Sequence, residues 1–147
     1  MSIEDKLAIQ EALARYAYLF ENRDLEALEQ LVTDDAVSEI VATGATSPEL
    51  RIESRAAIRD SLAAVFQRLG VRTKYRFFLT NPLFETLTAE SAHTRTMVMV
   101  TRQGTNDTSP HLLLTGMYDD QWRKTPGGWQ LARRTLRHDH STPFISW

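Results

Sequence analysis

Cysteine is absent from the 147 residues of this sequence. Disulfide bonds, thiolate nucleophiles and zinc–thiolate sites are therefore excluded. Long apolar runs are absent as well, since none reaches the roughly 18 residues that cross a bilayer. The first residues also lack the basic start and the apolar centre of a signal peptide. We therefore expect a soluble, cytoplasmic protein that does not contact a membrane.

A strong excess of one charge is also missing. The 17 basic and 19 acidic residues leave a net charge of −2 at pH 7. Nucleic-acid binding needs a basic stripe with interleaved aromatic residues. The nearest candidate, Arg133-Arg134 with Arg137, lies in a predicted strand that alternates its side chains between two faces. We therefore expect no nucleic-acid partner, and the length fits one globular domain over residues 1–147.

The first half of the chain predicts three helices. Each follows a side chain that caps helices, and each carries apolar residues at the helical period. The predicted helices are one over about residues 3–21, a short one after Asp24, and one from Ser54 to Gly70. A short strand, Ala36 to Val41, and a mobile loop over residues 42–50 separate the second helix from the third.

The second half predicts long strands, at about residues 74–81, 91–102, 112–123 and 129–136. The last two are joined by Pro126-Gly127-Gly128, which is a strong hairpin signal. Helices followed by antiparallel strands predict an α+β domain. Because helices cover only one face of such a sheet, a sheet that curls around them forms a cone with an apolar cavity. The uncovered outer face is then a natural surface for a homodimer.

Four segments have the order and spacing of a known family: residues 9–16 with 22–28, residues 31–36, residues 55–58, and residues 116–120 with 128–134. They resemble the NTF2-like superfamily, and within it the SnoaL-like group of polyketide cyclases, scytalone dehydratase and related dehydratases. The resemblance implies an α+β cone in which three N-terminal helices pack in a curved, mixed, mostly antiparallel sheet. In dehydratases of the group an aspartate near the end of the first helix works with a histidine on a central strand. The corresponding positions here are Asn22 and Phe77, which cannot transfer protons.

The best candidate for acid–base chemistry is Asp119, because the resemblance implies that its strand face points into the cone. A carboxylate among apolar side chains is desolvated, which raises its pKa toward the range useful in catalysis. If Asp119 points outward, Asp120 points inward, because strand residues alternate. Arg133 or Arg134 would then pair with the inner aspartate, hold it ionised, and favour binding of an anion or a carbonyl.

Two further residues are candidates for catalysis. Tyr16 lies on the apolar stripe of the first helix, where its hydroxyl would meet a ligand carbonyl or would serve only the core. His93 shares a strand face with two methionines and would be a proton carrier in the cavity or a solvent-exposed residue at a strand end. The candidate ligand-binding residues share the expected pocket wall: Asn22, Tyr75, Phe77, Met97, Met99 and Met117.

We expect no cofactor and no metal ion. The segment His138-Asp139-His140 contains two imidazoles, but the sequence places no third ligand beside them. The apolar end of the chain, Pro143 to Trp147, is expected to pack over the mouth of the cone or against a second subunit.

The function predicted from these features is that of a cofactor-independent lyase, isomerase or cyclase. It would act by proton transfer on a small, hydrophobic, oxygenated and cyclic substrate. One alternative is a non-catalytic protein that binds a small ligand in the same pocket, which the absent acid–base pair favours. Another is a structural subunit, because the arginine-rich last strand partly resembles that of ring-hydroxylating dioxygenase β subunits.

Overall fold

The structure is a computed structural model that describes residues 2–143. Within this range three helices and six strands follow one another along the chain: α1 (Ile3–Glu21), α2 (Leu25–Glu29), β1 (Val32–Ala42), β2 (Leu50–Glu53), α3 (Arg55–Leu69), β3 (Lys74–Leu87), β4 (Ser91–Gln103), β5 (His111–Thr125) and β6 (Gly128–His138). The predicted α+β class is confirmed. Of the apolar C-terminal segment, residues 144–147 lie outside the described residues, so its predicted packing stays a prediction.

The helices begin where capping side chains predict them to begin. Ser2, Asp24 and Ser54 each accept a hydrogen bond from a backbone N–H in the first turn of α1, α2 and α3. These bonds satisfy donors that have no partner inside the helix. Helix α3 ends before Gly70, whose φ of 63° lies in the left-handed region that glycine adopts at low cost.

The six strands form one sheet in the order β2-β1-β6-β5-β4-β3. The β1–β6 pair is parallel and every other neighbouring pair is antiparallel. This confirms the mixed, mostly antiparallel sheet. The hairpin of β5 and β6 turns at Pro126-Gly127, as the sequence predicts.

Strand β2 was not predicted, and strands β1 and β3 are longer than predicted, with β1 beginning at Val32 instead of Ala36. Strand β2 has only four residues and lies between the expected loop and α3, too short for a period to be read. Strand β3 continues to Leu87 instead of ending near Asn81. Its pairing with β4 shifts register between Thr80 and Leu83, and Asn81 has a φ of 54°. Because β3 is an edge strand, Pro82 is tolerated at this irregularity.

Burial alternates along β4 and through the second half of β5 and so defines two faces. The inner face packs on the helices and carries buried side chains such as Thr94, Val98, Leu114 and Leu136. The outer face carries the residues that alternate with them, and no helix of residues 2–143 packs on it. Between β5 and β6 the backbones approach closely, since a Cβ added at Gly116 would lie 2.3 Å from the backbone oxygen of Arg137.

The first turn of α1 is fastened to the β5–β6 hairpin by one carboxylate. Asp5 Oδ1 accepts hydrogen bonds from Lys124 Nζ at 2.9 Å and from Trp129 Nε1 at 2.8 Å. The bonds from Lys124, Trp129 and Ser2 hold the pKa of Asp5 well below its usual range. Ionised Asp5 therefore holds α1 at one end of the cone.

None of the helices in residues 2–143 combines the length and the apolar character that a membrane span requires.

Candidate active site

The cavity lies between the three helices and the inner face of the sheet. It has a volume of about 120 Å³ and is open on one side. Its walls are mostly aromatic and aliphatic, and they include Phe20, Leu28, Val65, Phe77 and Leu136. An engineered apolar cavity of about 150 Å³ binds benzene, so this space suits a ligand that places one small ring inside it.

One charged pair lies at the inner end of this apolar space. Asp120 Oδ1 accepts a hydrogen bond from Arg134 Nε, and Asp120 Oδ2 accepts one from Arg134 Nη2, both at 2.8 Å. Asp120 is completely buried, and the Arg134 side chain is only 8% exposed. Arg134 lines the cavity, whereas Asp120 lies behind it. Of the two partners, Arg134 is thus the one that belongs to the cavity wall.

Two tyrosine rings enclose the Arg134 guanidinium. Its Cζ lies 3.8 Å from the ring centre of Tyr118 on β5 and 4.5 Å from that of Tyr16 on α1. Both distances fit cation–π contacts, which are strongest where water is excluded. The pKa of the Tyr118 hydroxyl lies well above its usual value, mainly because the group is buried, so this hydroxyl stays protonated. Tyr16 also lines the cavity, and its predicted part in catalysis stays a prediction.

The remaining guanidinium nitrogen has no hydrogen-bond partner. Arg134 Nη1 is buried, and no oxygen within residues 2–143 accepts a bond from it. A buried donor left unsatisfied costs about 1–3 kcal/mol, and more when the group is charged. A ligand oxygen that reached Nη1 through the cavity would recover this free energy. The site is therefore suited to an apolar ligand that carries an oxygen acceptor.

The two parallel hydrogen bonds between Asp120 and Arg134 have the geometry of an ion pair. Burial raises the pKa of the Asp120 carboxyl, and the charge and hydrogen bonds of Arg134 oppose that rise. Burial alone would lower the pKa of Arg134, but the Asp120 carboxylate outweighs it and raises the pKa. Arg134 therefore remains a cation, and Asp120 serves as its counterion.

The expectation that Asp119 faces the cavity is wrong. Asp119 lies on the outer face, where its Oδ1 is 2.9 Å from Nε2 of His93. Alternate residues of β5 face the same side of the sheet, and the bulky residues Tyr118 and Trp122 are buried on the inner face. Asp120 shares that face with them, so Asp119 lies on the opposite one. His93 also lies outside the cavity. These two of the three predicted catalytic residues therefore contact each other and do not line the pocket.

Most of the predicted ligand-binding residues also lie elsewhere. Met97, Met99 and Met117 are on the outer face, because they share the strand parity of His93 and Asp119. Asn22 is exposed at the C-terminal end of α1, where its backbone N–H bonds to α1 carbonyls. Tyr75 is fully buried in the core beside Phe20 and does not line the cavity.

Phe77 is the predicted ligand-binding residue that does line the cavity. Its ring lies 4.7 Å from that of Phe20 and 5.9 Å from that of Tyr16, measured between ring centres. The position at which the resemblance implies a catalytic histidine is thus part of an aromatic wall. Within the described chain, no three His, Asp or Glu side chains are grouped to hold a metal ion.

Arg134 is the candidate site residue that the sequence left unresolved. The alternation along β6 required either Arg133 or Arg134 to face inward and pair with an aspartate, and the structure selects Arg134. Arg133 faces outward and bonds to Glu39, which also accepts a bond from Arg51 at 2.8 Å. Tyr118, Asp120 and Trp122 share one face of β5, and this alternation could have shown which aspartate, and hence which arginine, faces inward.

Solved structures with this fold were found in several bacteria. A protein described as an aromatic ring hydroxylase from Novosphingobium aromaticivorans is 27% identical, with a TM-score of 0.77 over 97% of this chain and 93% of that one. The Mycobacterium tuberculosis protein Rv3472, of unknown function, is 28% identical, with a TM-score of 0.74 over 90% of this chain and 70% of that one.

A third structure, described as a scytalone dehydratase from Novosphingobium aromaticivorans, is 21% identical. Its TM-score is 0.76 over 99% of this chain and 94% of that one, a likeness of fold alone.

A comparison with curated proteins gives no match. An NTF2-like protein from the same bacterium is 25% identical, with a TM-score of 0.72 over 92% of this chain and 82% of that one. The SnoaL-like domain family matches residues 1–135. The chain therefore belongs to the SnoaL-like domain family of the NTF2-like superfamily.

Proposed function

We propose that this protein is a cofactor-independent lyase, isomerase or cyclase that acts on a small, hydrophobic, oxygenated ring compound in the cone cavity. The observation that carries the proposal is the buried Arg134 Nη1, which has no partner among the described residues and belongs to a cavity-lining side chain. Membership of the SnoaL-like domain family supports the same class of chemistry.

Arg134 would act on a substrate carbonyl. Loss of a proton from the carbon beside a carbonyl, to a water molecule that enters through the open part of the cavity, would leave negative charge on the carbonyl oxygen and a hydronium ion that returns the proton to solvent. A guanidinium held in place by Asp120 is a preorganised donor for that charge, and such donors are effective where water is excluded. The same proton loss begins a dehydration, an isomerisation or an aldol-type cyclisation.

Tyr16 is the proposed proton carrier. Its ring lies against the Arg134 guanidinium, and its side chain lines the cavity. A phenol in this position would donate a proton to a leaving or developing oxygen. Phe20 and Phe77 would hold the rings of the substrate.

A non-catalytic role in ligand binding is the second candidate. It is favoured by the chemistry of the described cavity wall, which offers no imidazole and no unpaired carboxylate as a base. Glu39 contributes to the wall, but its carboxylate is bonded by Arg51 and Arg133 on the outer side of the sheet.

We also propose that two copies of the chain pair through the outer face. Apolar side chains of β3 and β4 are exposed there, where nothing else in residues 2–143 covers them: Phe78 at 45%, Leu83 at 52%, Met97 at 51% and Met99 at 38%. Exposed apolar patches of this kind mark interaction sites.

Proton exchange in deuterated water tests the enzyme proposal without the physiological substrate. Indanone, a cyclic aromatic ketone, is incubated with the protein, and the loss of its proton signals beside the carbonyl is followed by NMR. We expect exchange faster than in buffer. The double variant Asp120→Leu/Arg134→Met should lose the acceleration, and Arg137→Met, an exposed change on the same strand, should keep it.

The outcomes separate the two candidates. Saturable binding of indanone without faster exchange in the native protein would favour the binding role over catalysis. Neither binding nor exchange, with the Arg137→Met control also inert, would contradict both roles of the cavity.

A further inference from the structure

The inference concerns which oxygen compounds the cavity accepts, and it rests on the proposed function. Asp120 takes two of the hydrogen bonds that Arg134 can donate, through Nε and Nη2. This geometry is the bidentate arrangement in which a guanidinium binds a carboxylate most strongly. The edge of Arg134 at which a carboxylate ligand would bind best is therefore already occupied by the protein.

The charge of the cavity is also already balanced. Arg134 is the cation of the described cavity wall, and its counterion is buried against it. The other charged residue of the wall, Glu39, is bonded to two arginines outside. A ligand anion would thus add a negative charge near Asp120 in an apolar space and would lose its hydration there.

A neutral carbonyl faces neither difficulty. It needs one donor, and Arg134 Nη1 supplies one that nothing in residues 2–143 uses. Its desolvation is far less costly than that of a carboxylate. The aromatic wall of Phe20 and Phe77 would take up the attached ring.

We infer that Asp120 is a specificity-determining residue, which restricts the cavity to neutral carbonyl compounds and rejects carboxylates of the same size. Asp120 acts through Arg134 and does not contact the ligand. Removing its charge while keeping its shape would leave Arg134 without a counterion. A carboxylate ligand would then supply the missing charge.

Acetophenone and benzoate test this selectivity, because both carry one benzene ring and have the same number of non-hydrogen atoms. Their affinities are measured by isothermal titration near neutral pH, where benzoate is ionised. For the native protein we expect acetophenone to bind at least about tenfold more tightly than benzoate. In Asp120→Asn we expect the ratio to shift toward benzoate by about tenfold or more. Arg137→Met serves as the matched control and should keep the native ratio.

Each outcome has a distinct meaning. Equal or tighter binding of benzoate to the native protein would overturn the inference and leave the cavity as the binding site. Native selectivity that Asp120→Asn leaves unchanged would overturn the role of Asp120. If neither compound binds to the native protein or to the variant, the proposed function fails, and the inference fails with it.

The native ratio needs no variant, so it decides the first question even if Asp120→Asn does not fold. Near-ultraviolet circular dichroism of the variant establishes its fold. If the variant is destabilised, its melting temperature with each compound at equal concentration replaces the titration, since the compound that binds the folded state more tightly raises its stability more. Benzoate should then raise the melting temperature of Asp120→Asn more than acetophenone does, and the opposite order would overturn the inference.

Discussion

Breaking the Asp120–Arg134 pair should destabilise the protein far more than removing the pair as a whole. Asp120 is completely buried and the Arg134 side chain is 8% exposed, so either single substitution leaves one charge buried without a partner. Such a loss costs about 3–5 kcal/mol, whereas an apolar replacement of both partners is often nearly neutral. For a domain of this size each kcal/mol lowers the melting temperature by roughly 2–4 °C.

The test is a double-mutant cycle of Asp120→Leu, Arg134→Met and their combination, measured by urea unfolding. Trp122 and Trp129 are both buried, so tryptophan fluorescence reports the unfolding. We expect a coupling free energy above about 3 kcal/mol. Arg123→Met, which removes an exposed pair with Asp35 at 2.9 Å, should cost under about 1 kcal/mol. A coupling below about 1 kcal/mol would refute the claim that the pair is a buried, ionised unit.

Three further predictions concern a close backbone contact at Gly116, the ionised carboxylate of Asp5 and the apolar outer face. Gly116→Ala should cost about 1–3 kcal/mol in urea unfolding because its Cβ meets the backbone of β6, while Gly127→Ala should stay within about 0.5 kcal/mol. Asp5 has a lowered pKa, so its contribution to stability is present above its ordinary value of 3.8 and is lost as the pH falls. The stability gap between the native protein and Asp5→Asn should therefore narrow below about pH 4, and a gap that widens there would contradict this. Light scattering should show that Met97→Asp separates the proposed dimer into monomers, whereas Tyr18→Asp on α1 should leave it intact.

The local signals in the sequence were sufficient for most of the fold. Caps at Ser2, Asp24 and Ser54 positioned the helix starts, and the Pro-Gly-Gly turn positioned the hairpin. These features depend on residues a few positions apart, so their physics is visible in the sequence. Strand β2 was missed because four residues are too few to show a period.

The candidate site was harder to predict, because it depends on absolute orientation. Alternation fixes which residues share a strand face, but it does not say which face is buried. The prediction took the outer face for the buried one and therefore placed Asp119, His93 and the methionines in the pocket. The cluster that does face inward joins Tyr16 of α1, Tyr118 of β5 and Arg134 of β6, whose proximity comes only from tertiary packing.

The most direct test of the central claim is a crystal structure of the protein soaked with acetophenone. The account predicts the ring between Phe20 and Phe77, with the carbonyl oxygen at about 3 Å from Arg134 Nη1 and the Asp120–Arg134 pair unbroken. A ligand held elsewhere, or held in the cavity with its carbonyl turned away from Arg134, would contradict the claim.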